Sequence, residues 1–228
     1  MAAIDAGKAV YCEWPLALDT GEALDLAGAA TRAGVSTGVG LQGRWVPQMR
    51  HLRDLVASGH IGRPLSFDVV QALDRFEVTE ARAWLHDEDQ ASGALFVASA
   101  HVVDSVRFVL GDVDSLGGLR ATLHVEDRYA DSGAAFRWTA SDTVRYVARM
   151  TGGQIGSVAV SNITSPPLGY TLRIFGDEGR LEATAPGYYQ FTPMTLAAAR
   201  AAGRWLPSRF RPSSPQASTC RTVTPAPT

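Results

Sequence analysis

The sequence predicts a mixed α+β and α/β fold. Its first part reads as a piece of a parallel α/β sheet, and its second part as an open, mainly antiparallel sheet with helices on one face. Three observations carry this. Residues 1–60 alternate strand-like and helix-like segments, the order a parallel α/β sheet needs. Beyond Gly111 the runs turn β-rich, with period-two alternation between Gly-containing turns. And 228 residues, 46% hydrophobic and 19% charged, are enough chain for one large domain or two small ones with a real core.

The elements follow in order. "MAAIDAGK" reads as closing helical turns, with Gly7 at the C-terminal end. Val10 to Cys12 reads as a short buried strand. Asp19 is the expected N-cap of the next helix, with Glu22 as its capping-box partner. Ala23, Leu26, Ala27 and Ala30 form that helix's apolar stripe, and Gly34 ends it. "VSTGVG" is a second strand. Pro47 suits a first helical turn, with Met49, Leu52 and Val56 on one face. "PLSFDVVQAL" is a strand, and Ser92 to Leu110 a helix carrying Leu95, Val102, Val106 and Val109. Four strands follow: "LRATLHV", "TVRYVARM", "QIGSVAVSNI" and "GYTLRIFG". In the second, Arg145 and Arg149 alternate with apolar neighbours. "TGGQ" and "GDEG" are hairpin turns. From Pro193 the chain carries no acid and becomes rich in Pro, Ser and Thr. "AAARAAGRW" has short-helix character, and the rest reads as a disordered basic tail.

The formal net charge of −2 gives no basis for a nucleic-acid or anionic-membrane partner. The two cysteines, Cys12 and Cys220, make no disulfide framework. The N-terminus lacks a basic start followed by a long apolar run, so no signal peptide is expected. The stretch "ALFVASAHVV" is too short and too polar to span a bilayer. These features predict a cytoplasmic protein.

Four stretches carry a resemblance to a known family: "AGKAVYCEWPLA", "VGLQGRWVPQMRHLRDLVASGHIGRPLS", "SGALFVASAHVVDSVRFVLGDV" and "YTLRIFGDEGRLEATAP". Their order and spacing over about residues 1–190 resemble the glucose–fructose oxidoreductase and inositol dehydrogenase (Gfo/Idh/MocA) family. That resemblance implies a Rossmann domain followed by an open antiparallel sheet domain. It divides this chain into residues 1–45, a partial Rossmann domain; residues 46–192, the sheet domain; and residues 193–228, the tail. "CEWPL" followed by "LQGR" resembles the branch related to the galactose-regulon repressor.

The same resemblance implies the site. Glu13, Trp14 and Pro15 match the family's Glu-Lys-Pro segment at the nicotinamide side of the cleft, often with a cis peptide before the proline. The family lysine is replaced by Trp14, whose indole donates one neutral hydrogen bond and shuttles no proton. Trp14 either stacks on a ligand or packs in the interdomain core. His101 matches the family's acid/base histidine. The aspartate usual four residues before it is Val97 here, so Asp104, on the same helical face, is left to orient the imidazole; alternatively, the two pair only structurally. Gln42 and Arg44 follow the second strand, where α/β sheets place ligand contacts. Arg44 suits a phosphate or sugar oxygen, or else pairs with an acid at a domain junction. His51, His60, His86 and His124 show no ligand spacing, so no metal is expected.

No G-x-G-x-x-G turn follows a strand in this chain, so the phosphate-binding glycine loop is absent from it. By the family order, the chain reads as the middle of a longer protein. The resemblance implies a fragment of an NAD(P)-dependent oxidoreductase, using NAD or NADP on a sugar or polyol hydroxyl and inactive as the isolated chain. The alternatives are a catalytically inactive regulator that senses a nucleotide or sugar, and a structural remnant. An open sheet face predicts self-association into a homo-oligomer.

Overall fold

The capping residues read from the sequence set the first elements. The structure, a computed structural model, describes residues 1–200 and 206–207. A short helix α1 (Ala2–Asp5) leads into β1 (Val10–Glu13), helix α2 (Thr20–Ala33) and β2 (Thr37–Gly40). Asp19 caps α2, its Oδ1 accepting from the Glu22 amide at 2.8 Å. Glu22 in turn accepts from the Leu18 amide at 2.9 Å. Gly34 closes the helix at φ 65°, a left-handed conformation that suits a residue without Cβ. β1 and β2 pair in parallel. β1 departs from the expected buried strand, because Tyr11 is 67% exposed. The physical reason is that β1 lies in a two-stranded sheet, and only Val10 joins the small cluster of Ile4, Ala29 and Ala30.

A 3-10 turn (Gln42–Trp45) leads to helix α3 (Pro47–Ala57), which starts on its proline as read. Strand β3 (Pro64–Ala72) then enters the main sheet. After irregular helical turns over residues 80–98 comes helix α4 (Ser99–Leu110), whose entry is a π-helical turn at Ala94–Ala98. Further strands are β4 (Val113–Ala121), β5 (Glu126–Arg128), β6 (Ala135–Arg137), β7 (Thr143–Met150), β8 (Ile155–Ser161), β9 (Gly169–Gly176), β10 (Gly179–Ala185), β11 (Thr195–Arg200) and β12 (Leu206–Pro207). The eight-stranded sheet runs β12-β11-β10-β9-β3-β8-β7-β4. Its pairs are antiparallel except β3 with β8.

One face of this sheet is covered. Phe67 and Val69 of β3, Val158 and Val160 of β8 and Leu172 and Ile174 of β9 pack in one core with Met49 and Leu52 of α3 and Val102 and Val106 of α4. Each such buried side chain contributes about 1.5–3 kcal/mol through removal from water. The other face is open: on β7, Val144, Ala148 and Met150 are buried while Arg145, Val147 and Arg149 face solvent. The helical run Glu88–Leu110 has the length and apolarity of a membrane span, but more than half of its most apolar window is buried, as expected of a core helix.

The expected tail at 193–228 needs correction at its start. Thr195–Arg200 is neither a short helix nor disordered but the strand β11, paired with β10 in register from Thr184↔Thr195 to Gly179↔Arg200. The alanines favour helix locally, but the unpaired edge of β10 offers them a ladder, and tertiary context overrides propensity. The remainder of the tail, Leu206–Pro207 apart, lies outside the described residues.

Candidate functional site

Helix α4 carries the central side chain. His101 is 8% exposed and lines a cleft of about 400 Å³. Burial pushes the imidazole below its usual range, and the nearby carboxylates of Asp104 and Glu13 pull it back in part. Its Nδ1 is buried without a hydrogen-bond partner. At neutral pH such a group is an uncharged imidazole.

Asp104 does not orient this imidazole. Both its oxygens are taken by Arg44, whose Nε lies 3.0 and 2.9 Å from them and whose Nη2 lies 2.5 Å from Oδ1. The aspartate side chain is 5% exposed and the arginine 42%. Of the two readings open for Arg44, the geometry is that of an arginine paired with an acid across the junction, with its guanidinium also 5.8 Å over the Phe108 ring. The pair engages the Nε and Nη2 edge of the guanidinium.

The Trp14–Pro15 bond is cis, as the resemblance implied. The Trp14 indole N–H donates to the Phe96 carbonyl at 2.6 Å, within the π-helical entry to α4. Its one donor is thereby spent on tying the β1 end to the helix that bears His101. Beside it, Glu13 lies against Gly40, where a Cβ would meet the carboxylate at 2.4 Å. Gln42 is half-buried, and its Oε1 is buried without a partner at the end of β2. Gly43 has no room for a side chain: a Cβ there would sit 2.1 Å from the Tyr189 hydroxyl. That hydroxyl donates to the His101 carbonyl at 3.0 Å.

The rest of the cleft was not read from the sequence. Asp142, before β7, and Asn162, after β8, line it together with Tyr188 and Gln190. Each carries a buried oxygen without a partner: Asp142 Oδ1, Asn162 Oδ1, the Tyr188 hydroxyl and Gln190 Oε1. Asp142 is held in place by its other oxygen, which accepts from the Leu123 and His124 amides at 2.8 and 2.7 Å. Val97 also lines the cleft. The remaining wall is largely aromatic, with Phe76 stacked on Tyr188 at a centroid distance of 5.8 Å. Buried polar atoms without protein partners are rare and mark places where a ligand or water completes the bonding. The one sequence signal for these residues was polar side chains at or next to strand ends, where loops carry binding groups.

A parallel strand pair is tied to an open sheet, and the histidine cleft lies wholly within the later part of the chain, lined by residues from Arg75 to Phe191; Glu13, Trp14, Pro15, Gln42 and Arg44 do not line it. The family model for the GFO/IDH/MocA C-terminal domain matches residues 49–182, and the chain belongs to that family. It is 36% identical over 113 residues to the 1,5-anhydro-D-fructose reductase of Ensifer adhaerens, covering 49% of this chain and 33% of that protein. The structure is similar to an NAD binding oxidoreductase from Klebsiella pneumoniae, with a TM-score of 0.77 and 26% identity over 90% of this chain and 55% of that one. It also shares its fold with a super-repressor mutant of Gal80p from Saccharomyces cerevisiae: TM-score 0.79, 16% identity, over 90% and 56% of the two chains. The chain spans between 32% and 50% of the length of the first curated relatives it matches.

Proposed function

We propose that the chain supplies the substrate-binding and proton-transfer half of an NAD(P)-dependent oxidoreductase acting on a sugar or polyol hydroxyl. On this reading residues 46–192 form the substrate domain and residues 1–45 the nucleotide-facing edge. One observation carries it: a buried, uncharged His101 lines a cleft together with Asp142, Asn162, Tyr188 and Gln190, polar side chains that each keep an unpartnered oxygen. His101 accepts the hydroxyl proton at its imidazole as the carbinol carbon is oxidised. Asp142, Asn162, Gln190 and Tyr188 hold the neighbouring hydroxyls and fix which carbon presents its hydrogen. When bound, the nicotinamide accepts the hydride.

The residues present suit only the nicotinamide end of that cofactor. Gln42 Oε1 is a free acceptor for its carboxamide, and Glu13, Trp14 and Pro15 border the same strand end. The pyrophosphate finds no counterpart among the described residues. The α2 N-terminus is already occupied by Asp19, and Glu22 adds a second acid to its first turn. Two carboxylates at a helix N-terminus repel a phosphate.

The test uses calorimetric titration of the chain with a panel of sugars and polyols, with and without nicotinamide mononucleotide. A polyol should bind, more tightly when the mononucleotide is present, and H101A should weaken it at least ten-fold. No polyol binding, or binding indifferent to His101, would overturn the proposal. A second reading, a ligand-sensing regulator, is favoured by Trp14 and Val97, which stand where the family has lysine and aspartate. It predicts the same binding without the absorbance of reduced nicotinamide when the oxidised mononucleotide and polyol are mixed.

A further inference from the structure

Burial sorts the cleft residues into two zones. His101, Asp142 and Asn162 are at most 8% exposed and form its floor, with Ser92 and Trp138 beside them. Phe191 is 70% exposed, Trp84 43% and Phe76 38%, and all three line the same cleft. The three form the solvent-exposed rim of the cleft. Large aromatics standing open around a pocket are uncommon in a folded chain unless they meet a partner. Tyr188 joins the zones: its ring stacks on Phe76 and meets Phe191 edge-on at 6.5 Å, while its hydroxyl is among the buried, unpartnered groups.

A free sugar satisfies only the floor. Its hydroxyls would complete the unpartnered oxygens and leave the rim aromatics wet. The cleft's volume, about 400 Å³, falls within the roughly 300–1,000 Å³ range of pockets for drug-sized ligands, which is more than a single hexose ring fills. We infer that the substrate is a glycoside or polyol conjugate carrying a planar, apolar group: the polyol end bonds the floor, and the apolar end packs against Phe76, Trp84 and Phe191. Aromatic pairing and burial at the rim then add affinity that the hydroxyls alone do not provide. This inference rests on the oxidoreductase reading for the position of the polyol, but it assigns the rim a separate role.

The experiment titrates the 228-residue chain with matched methyl and phenyl glycosides of glucose, galactose and xylose, and with phenol. It measures each affinity by calorimetry. At least one phenyl glycoside should bind ten-fold or more tightly than its methyl partner, and phenol alone weakly. F191A and W84A, both at exposed positions, should collapse the phenyl-to-methyl ratio to under three-fold. N162A should weaken both members of a pair together and keep their ratio. Equal affinity within each pair, or phenol binding as tightly as its glycosides, would overturn the inference while leaving the polyol site intact. Failure of every glycoside to bind would overturn both.

Discussion

Replacing Arg44 by alanine isolates one of the contacts between the first segment and the helix bearing His101. Asp104 is 5% exposed on its side chain and all its bonding to Arg44 runs through two guanidinium nitrogens. Removing one partner of a fully buried ion pair costs about 3–5 kcal/mol, because a bare carboxylate is left behind. Exposed pairs are worth about 0–1 kcal/mol. Arg44 is 42% exposed, so water reaches the space it vacates and partly resolvates Asp104. The two limits place R44A at about 2 kcal/mol, a fall in melting temperature of roughly 4–8 °C for a chain of this size. Urea denaturation followed by circular dichroism measures it. The double substitution R44M/D104L should cost less than the two singles added, since it leaves no buried charge. An R44A midpoint indistinguishable from the parent would refute the reasoning, because it would mean the pair is no more than a surface contact.

Three further outcomes follow from the same geometry. W14F removes the indole donor to the Phe96 carbonyl and should cost about 1 kcal/mol in urea unfolding, with the ring volume largely kept. G43A drives a methyl group into Tyr189 and should cost about 1–3 kcal/mol; Y189F, by deleting the oxygen nearest that methyl, should recover part of the loss in a double variant. His101 is held uncharged by burial, so its pKa is lower in the folded chain than in the unfolded one. Unfolded chains then bind the extra proton, and the His101 contribution to stability is present above about pH 6.5 and lost as pH falls below it. Urea midpoints compared between about pH 7.5 and 5.5 should therefore fall less for H101Q than for the parent.

What the sequence disclosed followed from how local each feature is. The Asp19–Glu22 cap, Pro47 at the start of α3 and the alternation of β7 depend on neighbours in the chain, and all were legible. β11 was not, because its alanine-rich run becomes a strand only through the open edge of β10. Arg44 and Asp104 were both singled out, yet only the folded chain brings residues 60 apart into one ion pair. The cleft floor was the least legible part. Asp142, Asn162, Tyr188 and Gln190 come from segments far apart in sequence, in no spacing that a motif records. His101 was legible through family resemblance, while its freedom from Asp104 was not.

Two bonds reach from the first segment to the helical run bearing His101, and they land on opposite sides of it: Trp14 on Phe96, before the histidine, and Arg44 on Asp104, after it. The imidazole is thus slung between two moorings on the first segment, although its helix packs on the sheet. Any shift of the first segment against the sheet therefore pulls on this helical run at two points that flank His101, so segment and histidine move together.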